Sequence, residues 1–321
     1  MGMLLNVANW HRKTCVINKR LDGKLAIVTG ANSGIGMVTS AELARRGCFV
    51  IMASRNMNLA EAAKRKILTQ YGTERTKCDA VSDLSEIRPD QLILEHIDLA
   101  DLSSVRRFVQ RISSKYTTLE YLINNAGLFA PKYEETKDGF EMTMGVNHLG
   151  HFVLTGLLLP MLFNSAPSRI INVSSVAHNW GVIERPKLLL SESQFDSQKA
   201  YRQSKLANVM HARELARRCK MTGVTAVSLH PGVVQTEFFR NHNSLKLRMW
   251  CWMLRPFTVD AWLGSQTTMF TVMADNLEPG GYYDNCMLKT PHPRAMDEQM
   301  CRWLWDKSCE LTGCNIPCTR N

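Results

Sequence analysis

The sequence lacks the features that mark membrane-spanning and secreted chains. It has no continuous run of about 18 apolar residues, the length that a spanning helix needs. The apolar stretch over residues 1–8 is short and has no basic residues before it, so it is not typical of a secretory signal. Asn6 stands where a myristoylated N-terminus needs serine or threonine. We therefore expect an intracellular protein, either cytoplasmic or peripherally associated with an internal membrane.

Paired cysteines are also missing. The chain has 10 cysteines, but none forms a C-x-x-C pair, which excludes the common zinc-binding spacings. Half of them crowd the tail from Cys286 onward, where no motif indicates chemistry. We expect reduced cysteines and no metal site, because the histidines (His148, His151, His178 and His230 among them) also lack paired ligand spacing.

The charge balance is basic. Lysine and arginine number 39 against 29 acidic residues, which gives a formal net charge of +10. Such an excess favours anionic partners: nucleic acid, an acidic membrane surface or a phosphate-bearing cofactor. We expect no nucleic-acid partner, because the basic residues are scattered and no nucleic-acid motif is present. With 45% hydrophobic and 21% charged residues, the composition is typical of a globular protein.

Short apolar runs alternate with helical patterns from residue 24 onward. The runs predicted as strands are 25–29, 49–53, 92–97, 119–124, 169–173 and 224–229. The segments predicted as helices are 37–46, 59–70, 103–114, 140–162 and 201–219. Short apolar strands are typical of parallel sheets covered on both faces, and strict alternation favours right-handed crossovers. We predict an α/β, doubly wound Rossmann fold with a central parallel sheet, and a surface loop over 72–91.

The first strand runs into a glycine-rich turn, Thr29-Gly30-Ala31-Asn32-Ser33-Gly34-Ile35-Gly36. Glycines let a backbone approach a pyrophosphate, and the N-terminus of the following helix offers free N–H groups and a positive dipole end. A plain strand-to-helix turn is the alternative. The residues predicted to hold a dinucleotide are Gly30, Asn32, Ser33, Gly34, Ile35 and Gly36.

The second strand ends without the acidic residue that would hold the ribose of NAD. Ser54 and Arg55 stand there instead and suit the 2′-phosphate of NADP(H), although Arg55 could be an ordinary surface charge. Asp98, just after the third strand, could accept a hydrogen bond from the adenine amino group. Asp101 is the better candidate to cap the next helix.

Tyr201 and Lys205 are four residues apart in a predicted helix, so they lie on one face. A phenol has a pKa near 10, and a nearby ammonium lowers it by stabilising the phenolate. An exposed helix pair is the alternative. Ser174 and Ser175 close the fifth strand, whose carboxyl end faces the ligand cleft of a parallel sheet. Spacing alone does not choose between these two serines.

Two groups of amide side chains accompany this pair. The segment Asn124-Asn125-Ala126-Gly127 ends the fourth strand, at the same rim of the sheet. Asn147 lies inside the long predicted helix, where an amide is a mediocre helix former. It is either a functional residue or a satisfied core amide.

Taken together, these motifs and His230-Pro231-Gly232-Val233-Val234-Gln235-Thr236 resemble the short-chain dehydrogenase/reductase superfamily over residues 23–285. The resemblance implies a catalytic tetrad of Asn147, Ser175, Tyr201 and Lys205. Tyr201 would be the acid/base, Ser175 would polarise the carbonyl, Lys205 would lower the tyrosine pKa and hold the nicotinamide ribose, and Asn147 would support a water leading to Lys205. The resemblance also implies cofactor contacts at Asn125, Ala126, Gly127, Tyr201, Lys205, Pro231, Gly232, Val234 and Thr236.

Several stretches are similar to the retinol dehydrogenase branch of that superfamily, among them residues 145–152 and 172–178. This implies NADP(H)-linked hydride transfer to or from a lipophilic, retinoid-like aldehyde, ketone or alcohol. The rival hypotheses are a steroid or xenobiotic carbonyl reductase and a cofactor-binding scaffold without turnover. Many members of the branch carry an N-terminal membrane-spanning segment, which this sequence does not contain.

Residues 245–257 combine apolar, aromatic and basic side chains. We interpret them as part of a substrate lid over about 237–260 that touches lipid headgroups, with a core-packed helix as the alternative. The predicted organisation is a basic N-terminal segment, 1–22, and a single dinucleotide-binding catalytic domain, 23–321, that ends in the cysteine-rich tail. Both a monomer and a homo-oligomer remain open.

Overall fold

A computed structural model describes residues 12–70, 84–233 and 259–316. Its centre is an eight-stranded sheet with the order β3-β2-β1-β4-β5-β6-β7-β8. All neighbouring strands are parallel except the last pair, β7 and β8. The predicted doubly wound fold with helices on both faces is confirmed, and the order reverses between β1 and β4, where such sheets bind ligands.

The first six strands coincide with the predicted apolar runs to within two residues at each end. They are β1 Leu25–Thr29, β2 Phe49–Ser54, β3 Leu92–His96, β4 Tyr121–Asn124, β5 Ser168–Val173 and β6 Val224–His230. Most of their residues are buried on both faces, which explains why the runs are apolar throughout rather than alternating.

Helices cover the two faces of the sheet. They are α1 Gly34–Arg45, α2 Met57–Gln70, α3 Leu102–Ser113, α4 Met142–Asn164, α5 Ser197–Arg218, α6 Ala261–Met273, α7 Pro293–Met296 and α8 Glu298–Thr312. One apolar core lies under α1, α2 and α6, and the other lies under α3, α4, α5 and α8.

Several predicted boundaries were wrong. The first helix starts at Gly34 rather than at residue 37, because the last glycines of the turn already form its first turn. The helix that carries Tyr201 starts at Ser197, since the Asp196 carboxylate caps it by accepting from the Lys199 N–H. β4 starts at Tyr121 rather than at residue 119. The Asp101 cap is confirmed, with its carboxylate accepting from the N–H groups of Ser103 and Ser104.

The long helix α4 contains a wide π-type turn over Gly145–Leu149, which includes Asn147. Such turns are rare and occur often at functional sites. α4 is also long and apolar enough to cross a membrane, with a mean hydropathy of 1.4, but 89% of the apolar window is buried inside the protein. Its composition therefore agrees with that of a core helix.

The elements after β6 were missed in the sequence. α6 follows the segment 234–258, and β7 (Tyr282–Asp284) and β8 (Met287–Lys289) extend the sheet. α8 packs on α4 and α5, and its Trp305 is 3% exposed. The cysteine-rich tail is thus partly core: Cys286 and Cys301 are buried, and burial raises the pKa of both thiols to about 12.

The described part of the N-terminal segment packs on the rest of the domain. Cys15 and Leu21 are 3% and 2% exposed, and the Cys15 N–H donates to the Gln266 side chain at 3.2 Å. The predicted loop over 72–91 is described only from residue 84, where Ile87 and Gln91 are buried rather than on the surface. Most of the predicted lid, together with Val234 and Thr236, lies outside the described residues.

Candidate active site

The candidate site lies along the carboxyl edge of the sheet, where β1, β4, β5 and β6 end. The glycine-rich turn follows β1, the segment 125–127 follows β4, Ser175 follows β5 and Pro231 follows β6. Parallel strands bring these four segments to one edge, which is the ligand side of a doubly wound sheet.

The glycine-rich turn needs its glycines for close backbone packing. Gly30 and Gly34 have φ values of +66° and +52°, which favour glycine. A side chain at Gly36 would place its Cβ atom 2.5 Å from the Gly30 carbonyl oxygen. Asn32 and Ile35 are partly exposed and Ser33 is exposed, so the turn presents its outer surface at the N-terminus of α1.

Thr29 joins this turn to the end of β4. Its hydroxyl oxygen accepts hydrogen bonds from the N–H groups of Asn125 and Ala126, both at 2.9 Å. The Asn125 side chain donates to the Thr29 carbonyl at 2.8 Å. Asn125 and Ala126, predicted as cofactor contacts, therefore also hold two loops of the site together.

The end of β2 carries a buried hydroxyl and an exposed guanidinium. The Ser54 side chain is 2% exposed, and its hydroxyl has no hydrogen-bond partner among the described residues. Arg55 next to it is exposed. Asp98 lies after β3, and one of its carboxylate oxygens accepts from the Ala100 N–H at 2.9 Å. Part of the Asp98 carboxylate thus shapes its own loop.

The two serines after β5 have different surroundings. The Ser174 hydroxyl is buried and donates to the Lys205 carbonyl at 2.7 Å, so it joins β5 to α5. Ser175 is partly exposed, and its hydroxyl forms a hydrogen bond with the phenol of Tyr201. The contact with the phenol favours Ser175 as the functional serine.

Tyr201 lies in the second turn of α5. Burial raises the pKa of its phenol to about 12, and the hydrogen bond from Ser175 acts in the opposite direction. The Phe129 ring packs against it, with a distance of 5.7 Å between ring centroids. The phenol is therefore protonated at neutral pH, and the expected lowering of its pKa by Lys205 is not seen, because burial outweighs the other influences on Tyr201.

Lys205 follows one turn later and lies beside the same ring. Its Nζ atom is 5.6 Å from the Tyr201 ring centroid and donates to the Val173 carbonyl at 3.1 Å. The side chain is buried, and burial lowers the pKa of Lys205 to about 8. A Cβ atom on Gly127 would lie 3.3 Å from Nζ, so this glycine leaves room beside the ammonium.

Asn147, in the π-type turn of α4, lies close to Gly127, as Lys205 does. Its amide nitrogen donates to the Leu128 carbonyl and to the Ser204 hydroxyl, both at 3.0 Å. Its amide oxygen accepts from the Leu128 N–H at 2.8 Å. The structure thus brings Asn147 and Lys205 together around Gly127, and Lys205 also lies beside the ring of Tyr201, which contacts Ser175.

Pro231 and Gly232 follow β6 and are buried. Gly232 has a φ of +97°, and a Cβ atom there would lie 2.8 Å from the guanidinium carbon of Arg12. Arg12 in turn pairs with Asp284 at 3.2 Å. The N-terminal segment therefore packs directly on this part of the predicted cofactor site.

Sequence reasoning missed the residues that support the site. His178, which was rejected as a metal ligand and given no specific role, hydrogen-bonds the Ser175 carbonyl through Nδ1 at 2.7 Å and accepts from the backbone N–H of His292 through Nε2 at 3.3 Å. Ser204 and Val173 contact Asn147 and Lys205 as described above. The sequence could have indicated these residues only through their positions close to Ser175 and Lys205.

The described residues fit a bound dinucleotide. The outer surface of the glycine turn is exposed at the N-terminus of α1, and the unpartnered Ser54 hydroxyl lies at the end of β2. The Ser175–Tyr201–Lys205 group lies after β5 and in the first turns of α5. No cluster of metal-ligating side chains occurs within residues 12–70, 84–233 and 259–316.

Comparisons with known proteins agree with this geometry. A family model described as short chain dehydrogenase matches residues 24–246. Human retinol dehydrogenase 11 is 41% identical over 304 residues, covering 94% of this chain and 90% of the relative. Human retinol dehydrogenase 12 is 42% identical over 305 residues, covering 93% and 89%. A solved structure from Mycobacterium paratuberculosis aligns with a TM-score of 0.73 at 34% identity, covering 95% of this chain and 99% of that chain.

Proposed function

This chain belongs to the short-chain dehydrogenase family, within the branch of the retinol dehydrogenases, and on that premise we propose that it uses NADP(H) to interconvert a lipophilic, retinoid-like alcohol and its aldehyde or ketone. The family makes the chain an oxidoreductase that uses a nicotinamide cofactor. The choice of NADP(H) and the type of substrate are the proposal.

The observation that carries the proposal is the contact of Ser175 with the Tyr201 phenol beside the buried ammonium of Lys205. Two hydroxyl groups that meet in this way can both donate to one carbonyl oxygen of a substrate. A cation held nearby in a water-poor site stabilises negative charge on the phenol oxygen.

The glycine-rich turn and the segment 125–127 would hold a nicotinamide cofactor, which would supply the hydride for reduction of the carbonyl carbon. Tyr201 transfers its phenol proton to the oxygen that becomes the alcohol, and Ser175 holds that oxygen by a hydrogen bond. Lys205 stabilises the resulting phenolate, and Asn147 keeps the segment around Leu128 in place beneath the lysine. In the oxidising direction, the phenolate accepts the alcohol proton.

The end of β2 supports NADP(H) over NAD(H). A phosphate placed there would give the buried Ser54 hydroxyl a partner and would meet the guanidinium of Arg55. The residues that end and follow β2, Ser54, Arg55 and Asn56, include no acidic side chain. In Arg55→Ala we expect the KM for NADPH to rise roughly tenfold with the KM for NADH unchanged. The matched control is Arg65→Ala, which removes an exposed arginine of α2.

Apolar side chains around Ser175 support a lipophilic substrate. Val176 and Trp180 lie in the short helical turn that Ser175 begins, and they are 36% and 60% exposed. Val233, just after Gly232, is 42% exposed. Exposed apolar groups beside a catalytic hydroxyl provide a surface on which the hydrophobic chain of a substrate can bind.

Peripheral membrane contact through residues 237–260, with those residues as a lid, remains part of the proposal. Flotation with anionic liposomes tests it: the full chain should float and a variant without residues 240–257 should stay in solution. Equal behaviour of both proteins would contradict it. A homo-oligomer is left open, and light scattering of the same samples reports it.

A cofactor and substrate screen tests the function. Absorbance at 340 nm is followed with NADPH and with NADH against all-trans-retinal, medium-chain aldehydes and steroid ketones. We expect turnover of retinal with NADPH preferred. Turnover of steroids alone would favour the carbonyl reductase alternative, and cofactor binding without turnover of any substrate would favour the scaffold.

A further inference from the structure

One buried imidazole joins the glycine-rich turn to the turn of α4 that holds Asn147. His151 is 3% exposed and follows Asn147 by one turn of α4. Its Nε2 atom lies 2.9 Å from the Thr29 hydroxyl, and its Nδ1 atom lies 3.2 Å from the Asn147 carbonyl oxygen. Thr29 is the last residue of β1, immediately before the turn.

The two partners determine how the imidazole is protonated. A carbonyl oxygen can only accept, so Nδ1 carries the proton and donates to Asn147. Nε2 then accepts from the Thr29 hydroxyl. Burial lowers the pKa of His151 to about 4, so the ring stays neutral at physiological pH.

The Thr29 hydroxyl depends on this acceptor. Its oxygen accepts from the N–H groups of Asn125 and Ala126, so its own proton must point elsewhere. The other acceptor is the Ile123 carbonyl at 3.4 Å, which makes a much poorer bond than the imidazole. Without His151 the hydroxyl would rotate toward Ile123, and its lone pairs would turn away from the two N–H groups.

We propose that His151 is a positioning residue that locks the glycine-rich turn, the 125–127 segment and the Asn147 turn into one arrangement through Thr29 and the Asn147 carbonyl. Its Nε2 contact holds the cofactor-binding side of the site, and its Nδ1 contact holds the proton-transfer side. The inference rests on the proposed function, because it assigns the Nε2 contact of His151 to cofactor binding and the Nδ1 contact to proton transfer.

The two nitrogen atoms can be tested separately. In His151→Asn, the amide nitrogen takes roughly the place of Nδ1 and can still donate to Asn147. In His151→Gln, the amide oxygen takes roughly the place of Nε2 and can still accept from Thr29. His151→Phe keeps a ring of similar size and removes both bonds.

The readouts are the Kd for NADPH, from quenching of protein fluorescence, and kcat with retinal at saturating NADPH. We expect His151→Phe to raise the Kd about tenfold and to lower kcat about tenfold, since each lost bond is comparable to one buried hydrogen bond. His151→Gln should restore the Kd but not kcat, and His151→Asn should restore kcat but not the Kd. If His151→Gln and His151→Asn show the same Kd and the same kcat as each other, the proposal is overturned.

His148 provides the matched control. It is a second buried histidine of α4, but its Nε2 atom contacts the Ser308 hydroxyl of α8 at 2.9 Å rather than Thr29. His148→Asn and His148→Gln should lower the melting temperature as much as the His151 variants do while leaving Kd and kcat unchanged. If they change Kd and kcat as much as the His151 variants, the role of His151 is packing alone.

Variants of Thr29 test the proposal even if His151→Phe does not fold. Thr29→Ser retains the hydroxyl and should bind NADPH like the wild type, and Thr29→Val should bind it about tenfold more weakly. Equal Kd values for the two variants would overturn the proposal. Wild-type protein that binds neither NADPH nor NADH would overturn the proposed function itself, whereas normal binding by every variant would overturn only the role of His151.

Discussion

At the scale of single residues, Tyr201 and Lys205 are both moved away from their ordinary pKa values by burial. The phenol of Tyr201 has a pKa near 12, and the ammonium of Lys205 has one near 8. The phenol is thus an available proton donor at pH 7, and the lysine is mostly charged there. Above pH 8 the lysine loses its proton, and with it the charge that stabilises a phenolate.

This predicts the pH dependence of the reducing reaction. The kcat/KM of the wild type should fall as the pH rises through about 8, because the protonated form of Lys205 is the active one. In Lys205→Arg the guanidinium stays charged at all accessible pH values. The kcat/KM of Lys205→Arg should be lower than that of the wild type at pH 7 but should stay constant up to and above pH 9. Profiles from pH 6 to 10 check this, and an identical fall in both proteins would contradict the role given to the ammonium.

The two serines give a second prediction. Ser175→Ala should lower kcat by about 10²-fold, the usual effect of removing one donor to a developing oxyanion. Ser174→Ala should keep most of its activity and lose about 1 kcal/mol of unfolding free energy, since its hydroxyl bonds only the Lys205 carbonyl. Steady-state kinetics and urea unfolding of the pair separate the roles. A reversed pattern would move the catalytic assignment to Ser174.

At the scale of elements, the C-terminal helix α8 closes the core over α4 and α5. The Trp305 ring lies 5.0 Å from the ring of Phe152 and 5.8 Å from that of His211, measured between centroids. Arg218 stacks over its face at 4.5 Å. α8 is therefore a structural part of the catalytic domain.

Truncation of this side chain tests that role. Trp305→Ala should lower the free energy of unfolding by about 3–5 kcal/mol, the range for large aromatic residues removed from a core. Trp303, two residues earlier on α8, is partly exposed, and Trp303→Ala should cost much less. Urea unfolding of both variants provides the comparison. Similar losses would show that α8 does not close the core as described.

The same elements show how far the sequence could predict the fold. The strands β1 to β6 were found because strands buried on both faces are apolar throughout. β7 was missed because it has three residues, and α6 because polar Ser265, Gln266 and Thr267 lie buried in it and hide any apolar stripe. α8 had a usable signal: its buried residues Cys301, Leu304, Trp305, Ser308 and Thr312 recur at helical spacing, although two of them are polar.

The candidate catalytic residues were predicted better than the residues that hold them in place. Tyr201, Lys205, Ser175 and Asn147 belong to recognisable motifs, and the structure places them together; their catalytic roles stay predictions. The contacts that hold them come from distant parts of the chain: His151 reaches Thr29, His178 reaches His292, and Arg12 reaches Gly232. Spacing in the sequence carries no information on such contacts, because they depend on how the strands are ordered in the sheet.

At the scale of the whole molecule, four of the five buried histidines in the described part of the chain have strongly lowered pKa values. Burial lowers the pKa of His148 and holds those of His151, His211 and His230 at about 4, 3 and 3. All four would take up a proton in the unfolded chain below about pH 6.5. The unfolded state then binds more protons than the folded state, so stability is complete above pH 6.5 and is lost as the pH falls.

The expected loss is steep. Each histidine contributes about 1.4 kcal/mol per pH unit, so the four together lower the free energy of unfolding by about 5 kcal/mol between pH 6 and 5. Urea unfolding followed by circular dichroism at pH 7, 6 and 5.5 measures the slope. His211→Asn should reduce it by about a quarter, and His96→Asn, at an exposed site, should leave it unchanged. A stability that is flat from pH 7 to 5 would contradict the neutral burial of these rings.

The chain as a whole is organised around the phenol of Tyr201, and one measurement addresses that directly. Stopped-flow oxidation of NADPH by all-trans-retinal is compared in the wild type and in Tyr201→Phe, with the Kd for NADPH measured in both. We predict that the variant still binds NADPH, because Tyr201 is only one of several predicted cofactor contacts, and transfers hydride about 10³-fold more slowly, within the usual range for losing a general acid. A variant that binds NADPH and transfers hydride at the full rate would contradict the role of Tyr201.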